Sequence, residues 1–176
     1  GKTTLLKSTI FNIILSQQFG IGFYNDSNIN IYDYIHCYIN IPETSNRDSL
    51  FQAEARRCKN IINIIENNPT NKHFCVFDEL YSGTNPNDAI RSAYSYLTYL
   101  NNNNNVKYIL TTHYNKLCKK LNHDTNSKNY HMQIIRKDNK LVYKYKLKDG
   151  INKVKGCLNI LETLNYPKEI LNNYIR

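Results

Sequence analysis

The stretch Phe74-Cys-Val-Phe-Asp-Glu-Leu80 most limits what this chain can become. A short apolar run rich in aromatic and β-branched residues, closed by acids and then a turn, predicts a central parallel strand that empties into a site. Asp78 and Glu79 close the run, and Ser82-Gly-Thr-Asn-Pro86 stands directly behind them. Taken alone, the two acids admit two readings. They are solvated groups at a strand edge, or Asp78 holds a magnesium ion through water while Glu79 polarises an attacking water. The rest of the chain has to decide.

The first residues, Gly1-Lys-Thr-Thr4, match only the last part of the phosphate-loop pattern G-x-x-x-x-G-K-[ST]. The chain therefore reads as a fragment, a single domain over residues 1–176 that begins within such a loop. Leu6, Ile10, Ile13 and Ile14 recur at the helical period and predict a helix from Thr3 to about Gln18. Lys2 and the first backbone N–H groups then sit at a helix N-terminus, where orphan donors and the helix dipole favour phosphate. Alternation between Ile29 and Ile41 suggests one or two strands before Pro42.

Ser49-Leu-Phe-Gln52 has the form of a capping box, followed by a helix with Phe51, Cys58, Ile61, Ile62 and Ile65 on its inner face. Asn85-Pro86 opens another helix, through Ile90, Ala93, Tyr94 and Leu97, which ends in the Asn101 to Asn105 tract. Lys107 to Thr111 is the next strand, closed by Thr112-His113 as the earlier one is closed by Asp78-Glu79. Polar ends of consecutive parallel strands lie on one edge of a sheet, where α/β proteins bind ligands. Beyond them, Tyr130 to Arg136 and Leu141 to Leu147 flank Asp138-Asn139 as a β-hairpin, with Met132, Ile134 and Val142 together and the lysines outward. Two helices, near Lys153 to Leu164 and from Pro167 onward, complete the chain.

A net charge of +9 fits a polyanionic partner such as nucleic acid or nucleotide. It fits a solvated basic face as well, because the excess lies in scattered lysines such as Lys116, Lys119, Lys120, Lys144, Lys146 and Lys148. Five cysteines without C-x-x-C spacing read as core residues in a reducing compartment, not as disulfides or zinc ligands. No apolar run approaches the roughly 18 to 20 residues of a membrane span. A soluble, intracellular protein is expected.

Phosphate loop, helix, a strand ending in Asp-Glu and a strand ending in His form the layout of a P-loop ATPase. The resemblance then becomes specific. Gly1-Lys-Thr-Thr4, Leu15-Ser-Gln-Gln-Phe-Gly20, Ser49-Leu-Phe-Gln-Ala-Glu54, Phe77-Asp-Glu-Leu-Tyr-Ser-Gly-Thr84, Thr111-Thr-His-Tyr114 and Lys148-Asp-Gly150 with Gly156 follow one another as in the C-terminal ATPase domain of the MutS family of DNA mismatch-repair proteins, which the chain resembles. That resemblance implies an α/β P-loop NTPase of the ABC-ATPase type, a mostly parallel sheet flanked by helices with a C-terminal β-hairpin and helices. It implies ATP and magnesium as ligands, with Gly1, Lys2, Thr3 and Thr4 at the phosphates and Thr3 and Asp78 at the metal. Glu79 would be the base that activates water, and His113 the switch that senses the γ-phosphate.

The resemblance further implies a homo- or heterodimer formed through the ATPase face, in which Ser49 reaches the partner's γ-phosphate. Mismatched DNA would be held by regions outside this sequence, and no membrane is involved. Two departures point to a divergent branch. Asn46-Arg47-Asp48 and Leu50 replace residues usual around the serine, and Tyr81-Ser82 differs from the pair usual after Asp-Glu-Leu. Two other assignments remain: a dimerisation module that binds nucleotide without hydrolysing it, and an ABC-superfamily ATPase with a role outside repair.

Overall fold

The structure, a computed structural model, describes residues 1–39, 49–123, 127–137, 140–152 and 156–175. The stretch 46–48, the hairpin turn at 138–139, the start of the helix expected from 153 and the end of the strand expected to reach 41 lie outside the described residues. The chain divides into two compact units, Gly1–Ser127 and Lys128–Arg176.

The first unit is α/β. Three parallel strands, β1 (Tyr34–Tyr38), β2 (His73–Asp78) and β3 (Val106–Thr111), lie in the order β1-β2-β3, so the Phe74 run is the central strand. Successive side chains of a strand face opposite sides of its sheet, and here each side has its own cover. Phe74 and Val76 pack with Leu6, Ile10 and Ile13 of α1 (Lys2–Phe19). Cys75 and Phe77 pack with Cys58, Ile61 and Ile65 of α2 (Leu50–Asn67) and with Ala93, Leu97 and Leu100 of α3 (Pro86–Asn101). Burial on both faces explains why β2 is apolar from Phe74 to Phe77, and each large apolar side chain contributes roughly 1.5–3 kcal/mol.

The helix boundaries follow their caps. Ser49 accepts the Gln52 amide while the Gln52 side chain accepts the Ser49 amide, the reciprocal pair expected. Asn85 accepts the Asp88 amide ahead of Pro86 in the first turn of α3. α1 ends at Gly20, whose φ of 69° is left-handed. Ile14, expected inward, is 37% exposed; Leu6, Ile10 and Ile13 already fill the stripe that meets the sheet. A short helix that sequence periodicity did not reveal, α4 (Asn115–Leu121), buries Leu117 and Leu121 after β3. Among the described residues, no helix is long and apolar enough to cross a membrane. None of the five cysteines, all among the described residues, is in a disulfide; Cys58 and Cys75 are buried and Cys157 is exposed.

The second unit is a two-stranded antiparallel sheet, β4 (Tyr130–Lys137) with β5 (Lys140–Asp149), and two helices, α5 (Gly156–Thr163) and α6 (Lys168–Ile175). The expected alternation is interrupted between Met132, which faces Leu147, and Ile134, which faces Tyr143. Extra residues of β5 form a bulge there, with Tyr145 at φ 52°. Val142 consequently pairs with Ile135.

At the amino-terminal end of the parallel sheet, the rings of Tyr34, His36 and His73 are stacked. The Asn68 carbonyl can only accept, so His73 Nε2–H donates to it at 3.0 Å; His73 Nδ1 then accepts from His36 Nε2–H at 3.1 Å. Burial, with help from neighbouring His73 and Arg57, holds the His36 imidazole down at about 4. An unfolded histidine takes up its proton near 6.5. The His36 contribution is therefore complete above about pH 6.5 and is lost as pH falls toward 4, a decline of up to roughly 3 kcal/mol. Urea unfolding of the parent and of His36→Gln at pH 7 and pH 4.5 should show the steeper loss in the parent. Equal losses in the two proteins would remove His36 as the source.

Candidate functional site

Strand parity places the first carboxylate. Asp78 continues the side of β2 occupied by Phe74 and Val76, the side covered by α1, and so it meets the first turn of that helix. Thr3 Oγ1 donates to Asp78 Oδ2 at 2.8 Å. Thr111, paired with Asp78 across β2 and β3 and sharing the side on which Ile109 meets α1, donates its hydroxyl to Asp78 Oδ1. Both oxygens of the carboxylate are thus fixed by hydroxyl donors.

Glu79 leaves the strand differently. Its amide donates to the Thr111 carbonyl at 3.0 Å, and its φ of 54° is left-handed, uncommon for any residue but glycine. Tyr81, at φ 58°, repeats the conformation. Such a residue costs roughly 1–2 kcal/mol. Burial offsets it: Leu80 and Tyr81 are both buried, and the Tyr81 ring packs on Phe51 and edge-on against Tyr96. The turn sends Glu79 out toward His113, with His113 Nε2 2.6 Å from Glu79 Oε1. After β3, the Thr112 hydroxyl accepts the Tyr114 amide, a local turn that projects His113 from the strand end.

Lys2 Nζ donates to the Thr112 carbonyl at 3.2 Å and lies 3.2 Å from His113 Nδ1. The ammonium also lies 3.4 Å from Nε2, but there the Glu79 carboxylate, nearer at 2.6 Å, can only accept, so Nε2 carries the proton given to Glu79 and Nδ1 accepts from Lys2. Burial pushes the Lys2 ammonium below its usual range, with Glu79 and then Asp78 acting in the opposite direction. The Glu79 to His113 contact is between exposed groups, 44% and 70% open. A pair so exposed adds at most about 1 kcal/mol to stability and exchanges partners readily.

The structure therefore brings Lys2, Thr3, Asp78, Glu79 and His113 together at the carboxyl edge of the sheet. Gly1 is the N-cap of α1, and Thr4 is exposed in its first turn. Ser49 lies at the start of α2, with its capping bonds to Gln52, and no described hydrogen bond joins it to the cluster. Two participants carried no role in the sequence reading. Thr111 was only a strand end. Glu54, 2% exposed, stands on the buried face of α2 with Cys58, Ile61 and Ile65. A charged residue on an apolar stripe at helical spacing was the signal for it.

The donor set suits a hard cation. Among the described residues, no three His, Cys, Asp or Glu side chains are arranged to hold a metal. Magnesium needs no such cage, being held by one or two carboxylates, water and phosphate oxygens. The Thr3 hydroxyl and the Asp78 carboxylate supply that kind of partial shell.

An open parallel sheet with the Lys2 ammonium, hydroxyls, carboxylates and imidazole gathered beyond its strand ends has the architecture of α/β proteins that bind ligands at that edge. Within that class the chain belongs to the MutS family, matching MutS domain V over residues 1–175. It is 29% identical over 177 residues to the DNA mismatch repair protein MutS of Fusobacterium nucleatum subsp. nucleatum, covering 98% of this chain and 19% of that protein. Identity to the MutS of Persephonella marina is 24% over 172 residues, 97% of this chain and 19% of that protein. For Clostridium botulinum MutS it is 26% over 175 residues, 98% and 18%. The chain spans about a fifth of the length of these curated relatives.

Proposed function

We propose that this chain is the ATP-hydrolysing domain of a MutS-like DNA mismatch-repair protein, a P-loop domain of the ABC-ATPase type that dimerises with nucleotide and couples its state to DNA binding. The observation that carries the reading is the joining of Thr3 and Asp78 at 2.8 Å beside Lys2, from sequence positions 75 residues apart. Lys2 binds the terminal phosphates. Thr3 and Asp78 hold magnesium, which when bound neutralises charge on the phosphate oxygens. Glu79 accepts the proton of the attacking water, and His113, sharing hydrogen bonds with Lys2 and Glu79, registers the γ-phosphate. Ser49, at a helix N-terminus, is offered to the nucleotide of a partner chain. ATP then favours the closed pair and hydrolysis releases it.

Titration of the full-length protein with ATP, with and without magnesium, tests the site. Thr3→Ala should weaken magnesium-dependent binding about 10- to 100-fold, a hydrogen bond to a charged group being worth roughly 1.5–3 kcal/mol. Magnesium-dependent affinity that is the same in parent and variant would exclude Thr3 from the metal site.

A further inference from the structure

We propose that Glu54 is a positioning residue that makes the loop after the carboxylate pair and the Ser49 end of α2 respond to nucleotide as one body. Each chain's own phosphate site would then set the orientation of the serine it presents to its partner. The inference rests on the function proposed above and adds a route between the two half-sites.

A buried carboxylate is tolerated only when donors replace its water. Glu54 draws them from one place. The Ser82 amide donates at 3.0 Å and the Ser82 hydroxyl at 3.1 Å to Oε1, while the Gly83 amide donates at 3.0 Å to Oε2. The Tyr38 hydroxyl, at the end of β1 and close enough to Glu54 to feel its charge, accepts the Tyr81 amide at 3.4 Å. Hydrogen bonds to a charged group are the stronger ones, and these hold residues three and four positions beyond Glu79.

The same loop touches α2 nearer its start. A Cβ on Gly83 would come within 2.7 Å of Leu50 Cγ and 2.8 Å of the Phe51 amide nitrogen, so only glycine fits there. Leu50 and Phe51 directly follow Ser49. The left-handed backbones of Glu79 and Tyr81 leave little slack between the strand end and this anchor. A displacement of Glu79 is therefore passed to the first turn of α2 through Ser82, Gly83 and Glu54.

Hydrogen exchange of the full-length protein, with and without magnesium and a non-hydrolysable ATP analogue, reads both ends. In the parent, nucleotide should raise protection in residues 79–83 and 49–53 together. In Glu54→Gln, which keeps the size of the side chain, 79–83 should still respond while 49–53 loses its response. Gly83→Ala should produce the same separation with Glu54 intact. A purely structural Glu54 would lower protection with or without nucleotide and leave the responses paired. Paired responses in both folded variants overturn the inference. So does a parent in which only 79–83 responds, an outcome that preserves the phosphate site. A parent in which neither segment responds overturns the site and the inference together.

Discussion

Glu79→Gln in the full-length protein is expected to reduce steady-state ATP turnover by about 10²–10⁴-fold, the usual contribution of a positioned general base, while ATP affinity stays within a few-fold of the parent. The substitution is informative because it changes so little else. Glutamine preserves an oxygen to accept His113 Nε2–H, at the position where Glu79 Oε1 now does so at 2.6 Å. The backbone turn is stabilised from both sides, by the Thr111 carbonyl and by buried Leu80 and Tyr81. The capacity to take a proton disappears, and with it the negative charge that favours the Lys2 ammonium. Dimers should accumulate with ATP, since binding persists and release is blocked. Single-turnover hydrolysis and gel filtration with ATP are the measurements. Undiminished hydrolysis would take Glu79 out of the mechanism, and lost binding with turnover per bound ATP unchanged would reassign it to nucleotide affinity.

The second large effect concerns Ser49. If it serves a partner's nucleotide, Lys2→Ala and Ser49→Ala damage different halves of each composite site. Each variant alone should then lose nearly all turnover. Mixed in equal amounts and allowed to exchange subunits, they should recover about a quarter of the parent rate, since half the two-fold dimers are mixed and each mixed dimer has one whole site of two. Recovery at that level supports action across the dimer. A mixture as inactive as either component would place Ser49 outside the partner's site.

The sequence made the site's chemistry more legible than its support. Asp78, Glu79 and His113 could be found because a buried strand that ends in polar residues is an exception to its own pattern. Lys2 could be found because its neighbours form part of a phosphate-loop pattern. Thr111 and Glu54 escaped a role for a different reason. Their importance lies in what they touch, Asp78 33 residues earlier and Ser82 28 residues later, and linear spacing has no rule for such pairs. The left-handed turns at Glu79 and Tyr81 were hidden in the same way, because tertiary packing holds them where local preference would not. α4, only seven residues long, offers too few turns for a period to be seen.

The parity of β2 against β3 reaches further than packing. Asp78 and Thr111 stand side by side only in the register that also aligns His73 with Val106. A slip of one residue would preserve many apolar contacts yet turn Thr111 to the opposite side of the sheet. The hydrogen bond at the mouth of the sheet thus acts as a gauge of alignment made five residues away. A misthreaded chain could still collapse, but it would leave Asp78 Oδ1 without its hydroxyl donor and so lack a correctly aimed carboxylate.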